Sequence, residues 1–246
     1  MEQQPKTGET SPRRPVSRLP RERRIGEIMD AGLAIFRKKG YDDAMMSEIA
    51  ELAGVVEGTI YRYFENKRDL LVKIVERWYE AMLVEEDRQL AGIRGTWNRL
   101  RYMIRHHLVT IRDEPALSRL VFMELRPDPR YRSTRLFSLN RDYTQRTLEV
   151  IQQASAAGEL RSDLPLSLIR DLIFGGMEHY TWGFLRGEKP LQVDEAADTI
   201  TEIIYRGLVR SGPDAGAAAL DRLEGITERL ERLALAKADE APAPGA

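Results

Sequence analysis

The sequence predicts an all-α protein, on three observations. Apolar residues recur at three- and four-residue spacing along most of the chain, and prolines and glycines fall where helices start and stop. No alternating run of β-branched residues lies between hairpin turns. With 246 residues, of which 42% are hydrophobic and 31% charged, the chain can bury a real core and keep long helices wet on one face.

The elements follow in order. Residues 1–19 are polar and proline-bearing with no apolar stretch, so they are expected to form a disordered basic arm without a signal peptide. From Arg21 to Lys39, Ile25, Ile28, Met29, Leu33 and Phe36 share one helical face. Gly40 supplies a left-handed stop, with Arg37, Lys38 and Lys39 complementing the dipole. Two short helices, 46–53 and 57–63, are expected on either side of a glycine turn. A longer helix starts behind Asn66, a plausible N-cap, and runs past Met82.

Beyond residue 92 the pattern stays helical. Pro115, Pro129 and Pro165 mark the heads of helices 114–125, 129–157 and 164–187, Gly158 closes the second of these, and 193–210 follows. After SGPDAG, Leu223, Ile226, Leu230 and Leu233 predict a last amphipathic helix over 217–237, docked on the body. The expected domains are the arm 1–19, a DNA-binding domain 20–66, a ligand-binding and dimerisation domain 67–212, and a C-terminal helix and tail 213–246.

Charge is uneven along a chain whose net value is −1. Residues 1–40 carry ten Lys or Arg against five acids, and residues 213–246 carry four against seven. No stretch approaches a membrane span. There is no cysteine, and two of the three histidines are adjacent (His106, His107), so neither a metal nor another cofactor is expected. A Gly-x-Ser-x-Gly elbow and His-Glu metal spacing are both missing, so enzyme activity on acyl thioesters is not expected. The composition reads as a cytoplasmic protein.

The chemistry lies in SEIAELAGVVEGTIYRYF, whose spacing is that of a helix-turn-helix. Ala50 is small where two helices must approach, and Gly54 supplies the positive φ of a sharp turn. Ile60 and Phe64 return to the core beside Ile49 and Val55. Gly58, Thr59, Tyr61, Arg62 and Tyr63 are then left outward. Phenol hydroxyls suit phosphate oxygens, Thr59 offers a methyl and a hydroxyl, Arg62 can grip guanine, and Gly58 admits the sugar-phosphate chain. Lys67 adds a cation at the head of the next helix.

Residues 21–82 closely resemble the N-terminal domain of the tetracycline-repressor (TetR) family of bacterial transcription regulators. The matching stretches are IMDAGLAIFRKKGYDDA, SEIAELAGV and EGTIYRYFENKRDLL. The resemblance implies a homodimer of about nine helices per protomer on double-stranded operator DNA, with an effector pocket in the larger domain. It implies phosphate contacts from Tyr61, Tyr63 and Lys67, and base-edge contacts from the front of the 57–63 helix, Glu57, Gly58 and Thr59. Two departures stand out. Met45 and Met46 occupy the place of a capping hydroxyl, with Ser47 left as a late candidate for phosphate. Val56 starts the recognition helix where serine or alanine is common, so this start is expected to depend on packing.

The segment with LVFMELR, GEL and LIFGGMEHYTWGFL resembles the ligand domain of TetR-type repressors of fatty-acid degradation, which bind long-chain acyl-CoA and release DNA. The candidate effector residues are Met103, His107, Phe122, Arg126, Tyr143, Met177, His179 and Trp182. Phe122, Met123, Met103, Tyr143, Met177 and Trp182 could line an apolar slot for an acyl chain, while Arg119, Arg126, Arg130, Arg132 and Arg135 crowd one region and could meet phosphates. Gly175 and Gly176 suit close helix approach across a dimer interface. The expected function is a ligand-responsive regulator released by a hydrophobic effector; the alternative is an efflux-gene repressor answering a hydrophobic xenobiotic.

Overall fold

The computed structural model describes residues 21–210 and, beyond them, Thr227. The expected arm 1–19 and the tail 213–246, Thr227 apart, lie outside the described residues. Nine α-helices run through them: α1 (Arg21–Lys39), α2 (Met46–Leu52), α3 (Glu57–Ile60), α4 (Lys67–Leu90), α5 (Thr96–Asp113), α6 (Pro115–Leu120), α7 (Arg135–Ala156), α8 (Leu166–Leu185) and α9 (Val193–Leu208). They contain no strand, only an isolated antiparallel bridge between Leu160 and Val209. None of the described helices is long and apolar enough to cross a membrane.

Three boundaries differ from expectation. The helix expected over 57–63 stops at Ile60. The next residues close tighter bonds, Tyr63 N–H to the Ile60 carbonyl at 2.9 Å, because Phe64 must enter the core before Asn66 opens α4. The helix expected over 114–125 becomes α6 followed by a π-helical turn, Val121–Leu125, with Arg126 N–H reaching back five residues to the Val121 carbonyl. Pro129 heads no helix. Asp128 accepts the Arg130 N–H at 2.8 Å and holds a turn there, and a 3₁₀ turn at Tyr131–Ser133 precedes α7.

The chain divides into two compact units, Met1–Trp78 with Ala116–Leu136, and Tyr79–Pro115 with Phe137–Ala246. In the first, Ile28, Phe36, Ile49, Ile60, Leu70 and Leu71 are fully buried. Gly32 lets α1 lie against α4, since a Cβ there would stand 3.0 Å from Ile74 Cδ1. Lys67 closes the connection between α1 and α2. Its Nζ donates to the carbonyls of Tyr41 (2.7 Å), Asp42 (3.1 Å) and Ala44 (3.0 Å), over the Tyr41 ring. Beside it Arg68 donates to Asp128 Oδ2 at 2.7 Å and to the Glu124 carbonyl at 3.1 Å, tying the 116–136 segment to the first turn of α4.

In the second unit α5 and α9 pack antiparallel over a core that includes Leu100, Met103, Ile104, Leu108, Ile151, Ile173, Met177 and Ala197. A polar ladder edges the pair. Trp97 donates to Glu202, Arg101 to Asp198 and Arg105 to Asp194. Residues four apart on one helix thus meet residues four apart on the other. Such exposed pairs add little stability but specify register.

Glu86 on α4 is a buried acid inside this unit. It is 1% exposed, and its Oε2 has no hydrogen-bond partner among the described residues. Arg146 Nε stands 3.9 Å away and is committed to Asp87 by bonds of 2.6 and 2.7 Å. Burial pushes the Glu86 carboxyl up to about 7, against the pull of Arg146 and with help from Asp87. With a folded pKa above the ordinary 4.5, the stabilisation from its protonated form is complete below that value and is lost as pH rises through about 7. The loss amounts to about 3 kcal/mol. Glu86→Gln is therefore expected to match wild type in urea unfolding near pH 4.5 and to exceed it by roughly that amount at pH 8. A constant difference across the range sinks the assignment.

Candidate DNA-binding surface and effector region

The turn between α2 and α3 is built from backbone bonds that a positive φ makes possible. Gly54 has φ 64°, Val55 N–H reaches the Ala50 carbonyl at 2.9 Å, and Gly54 N–H reaches Glu51 at 3.1 Å. This is the paired closure of a Schellman motif, and Ala50, buried, leaves room for it. A four-residue helix has no stability alone, so α3 is held by what it buries. Ile60 is fully buried and Phe64 nearly so. Asn66 then caps α4 as expected, accepting Asp69 N–H at 2.9 Å, while Asp69 Oδ2 accepts the Glu65 N–H at 3.0 Å.

With those anchors inward, Glu57, Gly58, Tyr61 and Arg62 are exposed, and Thr59 and Tyr63 are half-buried. Arg62 has no ion pair or side-chain hydrogen bond among the described residues, so its guanidinium is open to a ligand. A Cβ on Gly58 would meet nothing within 4 Å, so the protein's own packing does not require glycine there. Tyr61 Oη donates to Glu57 Oε1 at 3.4 Å, drawing that carboxylate along the helix. Ser47 is exposed one residue inside α2. The α2 start is capped from one side only, by Glu48 Oε2 accepting the Met45 N–H at 3.4 Å.

One candidate on this face, Lys67, differs from expectation. Lys67 has three ammonium protons and directs all three to carbonyls, so in this arrangement it positions the face and has no donor left for a phosphate. Val56 is 75% exposed, so the packing on which this helix start depends is not its own. The start of α3 is held instead by Thr59 N–H on the Val56 carbonyl at 2.8 Å and by burial of Ile60.

The eight effector candidates fall in both units. Phe122 and Arg126 belong to the first, with the Arg126 guanidinium 4.8 Å from the Phe122 ring. In the second, Met103, Tyr143 and Met177 are buried, and His107 Nδ1 lies 3.2 Å from Tyr143 Oη with Phe174 edge-on at 5.3 Å. Trp182 is half-buried. His179 is exposed, on the α8 face that also bears Leu168, Leu172, Gly175 and Gly176, and so stands apart from the buried set. Nor do the five arginines form an open cluster, since Arg130 is bonded to Asp128 at 3.3 Å.

Sequence reasoning missed the polar groups around this interior. Tyr102 stacks on His106 at 5.7 Å, and Tyr102 Oη and His106 Nδ1, like Glu86 Oε2, are buried without a hydrogen-bond partner among the described residues. Burial and the Glu86 charge push the Tyr102 hydroxyl up to about 12, and burial holds His106 below its usual value. The signal was present. Val75, Tyr79, Met82 and Glu86 share one helical register, an acid standing where an apolar residue belongs.

Residues 28–74 match the family model described as bacterial regulatory proteins, tetR family, and residues 94–208 match a tetracyclin repressor-like C-terminal domain. The chain is 21% identical over 182 residues to the fatty acid metabolism regulator protein of Bacillus subtilis strain 168, covering 74% of this chain and 94% of that one. It is 46% identical over 90 residues to the HTH-type transcriptional repressor KstR of Mycolicibacterium smegmatis, covering 36% of this chain and 43% of that one. The crystal structure of FadR from Bacillus subtilis in complex with stearoyl-CoA superposes with a TM-score of 0.66 at 21% identity, over 74% of this chain and 98% of that one. The helix-turn-helix geometry and both family models agree, and the chain belongs to the TetR family of bacterial regulatory proteins.

Proposed function

We propose that this TetR-family transcription regulator is a cytoplasmic repressor that binds a palindromic operator as a homodimer and leaves it when a long-chain acyl-CoA binds. The observation that carries the DNA-binding half is the exposed front of α3, where an unpaired Arg62 and a bare Gly58 stand beside Thr59, Tyr61 and Tyr63. Two protomers with this face would enter successive major grooves about one helical turn apart. Ser47, Tyr61 and Tyr63 serve as phosphate contacts in this reading, and Arg62 reads a base.

The dimer reading rests on α8 and α9. Leu168, Leu172 and Tyr180 on α8 and Ile203 on α9 are exposed, and a Cβ on Gly175, Gly176 or Gly207 would meet nothing within 4 Å. Exposed apolar residues with small ones beside them on each helix suit packing against a second copy of the same helices. The effector reading is supported by the stearoyl-CoA carried by the similar FadR fold, and by the buried Met103, Met177 and aromatic groups. Effector release requires that ligand bind one state of the dimer better than the other. A second reading, a hydrophobic xenobiotic, is favoured by Glu86: a buried carboxyl with one oxygen free of hydrogen bonds and Tyr102 nearby would suit an aromatic cation.

Arg62→Ala is expected to cut discrimination between operator and random duplex by about 1–3 kcal/mol in fluorescence anisotropy titrations. Lys67→Met is expected to lower unfolding free energy by about 2 kcal/mol while leaving the salt slope of DNA binding unchanged. A slope reduced by about 0.9 would instead make Lys67 a phosphate contact. Leu172→Glu should sediment as a monomer and lose cooperative operator binding; an unchanged dimer overturns the α8 assignment. Stearoyl-CoA is expected to raise the melting temperature and dissociate the operator complex. If tetraphenylphosphonium does so and stearoyl-CoA does not, the xenobiotic reading stands in its place.

A further inference from the structure

Val56 has no evident structural task. It occupies the N-cap of α3 with extended backbone (φ −80°, ψ 145°), yet its side chain accepts no bond, and a hydroxyl or carboxylate there would hold the helix start better. It does not pack either, being 75% exposed. Lone exposed hydrophobic residues are ordinary on protein surfaces. This one stands on the face that also carries Gly58, Thr59, Tyr61 and Arg62, in a place where the fold itself favours a polar residue.

The neighbours leave Val56 uncovered. Gly58 has no side chain and open space around it. Glu57 is drawn toward Tyr61 by the hydrogen bond from Tyr61 Oη. Ahead of Thr59, the front of α3 therefore presents a branched hydrocarbon beside a bare backbone. In the major groove each base edge offers hydrogen-bonding atoms, and thymine alone adds an apolar group, its C5-methyl. Deoxyribose C–H groups can also meet a valine, but they are the same at every nucleotide and carry no sequence.

We infer that Val56 is a specificity-determining residue that reads thymine, its methyl groups meeting the C5-methyl of one thymine in each operator half-site. The inference rests on the DNA-binding reading above. Within it, Val56 trades a helix cap for base discrimination, and Arg62 supplies the charged readout six residues further on.

The test uses the full chain. Duplexes are enriched from a random pool with wild-type protein, and each thymine of the resulting site is then replaced in turn by uracil, which removes only the methyl. Wild type is expected to lose three- to tenfold in affinity at one symmetry-related thymine pair. Val56→Ser is expected to bind the thymine and uracil duplexes equally at that pair. It should also melt at or above the wild-type temperature, since serine restores a capping hydroxyl. Thr59→Ser, which removes the other methyl on this face, should retain the uracil penalty. The inference is overturned if no uracil weakens wild-type binding, if the penalty persists in Val56→Ser, or if it disappears in Thr59→Ser instead. Failure to enrich any duplex overturns the DNA-binding reading itself and this inference with it.

Discussion

Lys67 gathers three backbone carbonyls of one connection. Its ammonium sits among the carbonyls of Tyr41, Asp42 and Ala44, the connection between α1 and α2, while its own backbone opens α4. Between these points lie α2, the Gly54 turn and α3, which makes only one α-helical turn and keeps its place by burying Ile60. The exposed front of α3 is thus defined relative to α1 and α4, and both ends of that reference pass through one side chain. Arg68 extends the same clasp, holding the Glu124 carbonyl and Asp128 from the following position. Neighbouring cations on α4 therefore fix the turn ahead of the helix-turn-helix and the segment after α6.

The interior of the second unit follows a different logic. Its core is largely aliphatic, but α4, α5 and α7 bring polar atoms into it: Glu86, Tyr102, His106, His107, Tyr143 and Arg146. Burial holds the Tyr143 hydroxyl well above its ordinary range, and Glu86 adds to the effect. Buried polar groups without partners are costly and uncommon in finished cores. Among the described residues, three such atoms lie in this interior, Glu86 Oε2, Tyr102 Oη and His106 Nδ1, while His107 is paired with Tyr143 and Arg146 with Asp87.

What was legible in the sequence was steric. Ala50, Gly54, Ile60 and Phe64 announce the helix-turn-helix because small size, positive φ and apolar bulk have few substitutes at those places. Asn66 announces the start of α4 for a similar reason. The task of Lys67 was not legible, because carbonyl oxygens are the same at every residue and leave no mark in the sequence that the lysine could be matched to. The early end of α3 was hidden by local helix-compatible residues that tertiary packing of Phe64 overrides. Pro129 misled because a proline serves a turn as readily as a helix head, and only the Asp128 carboxylate decides between them. Glu86 was legible in register but was passed over among many surface acids on the same helix.

The ladder along α5 and α9 limits the movements open to the second unit. Trp97, Arg101 and Arg105 face Glu202, Asp198 and Asp194 at matched intervals, so sliding one helix past the other by a fraction of a turn breaks every rung together. A full turn restores two rungs and strands the third at an end. Tilting the pair as one body leaves all of them intact. The rungs thereby mark one register of the two helices, and movement of the pair as one body is the displacement that keeps every rung.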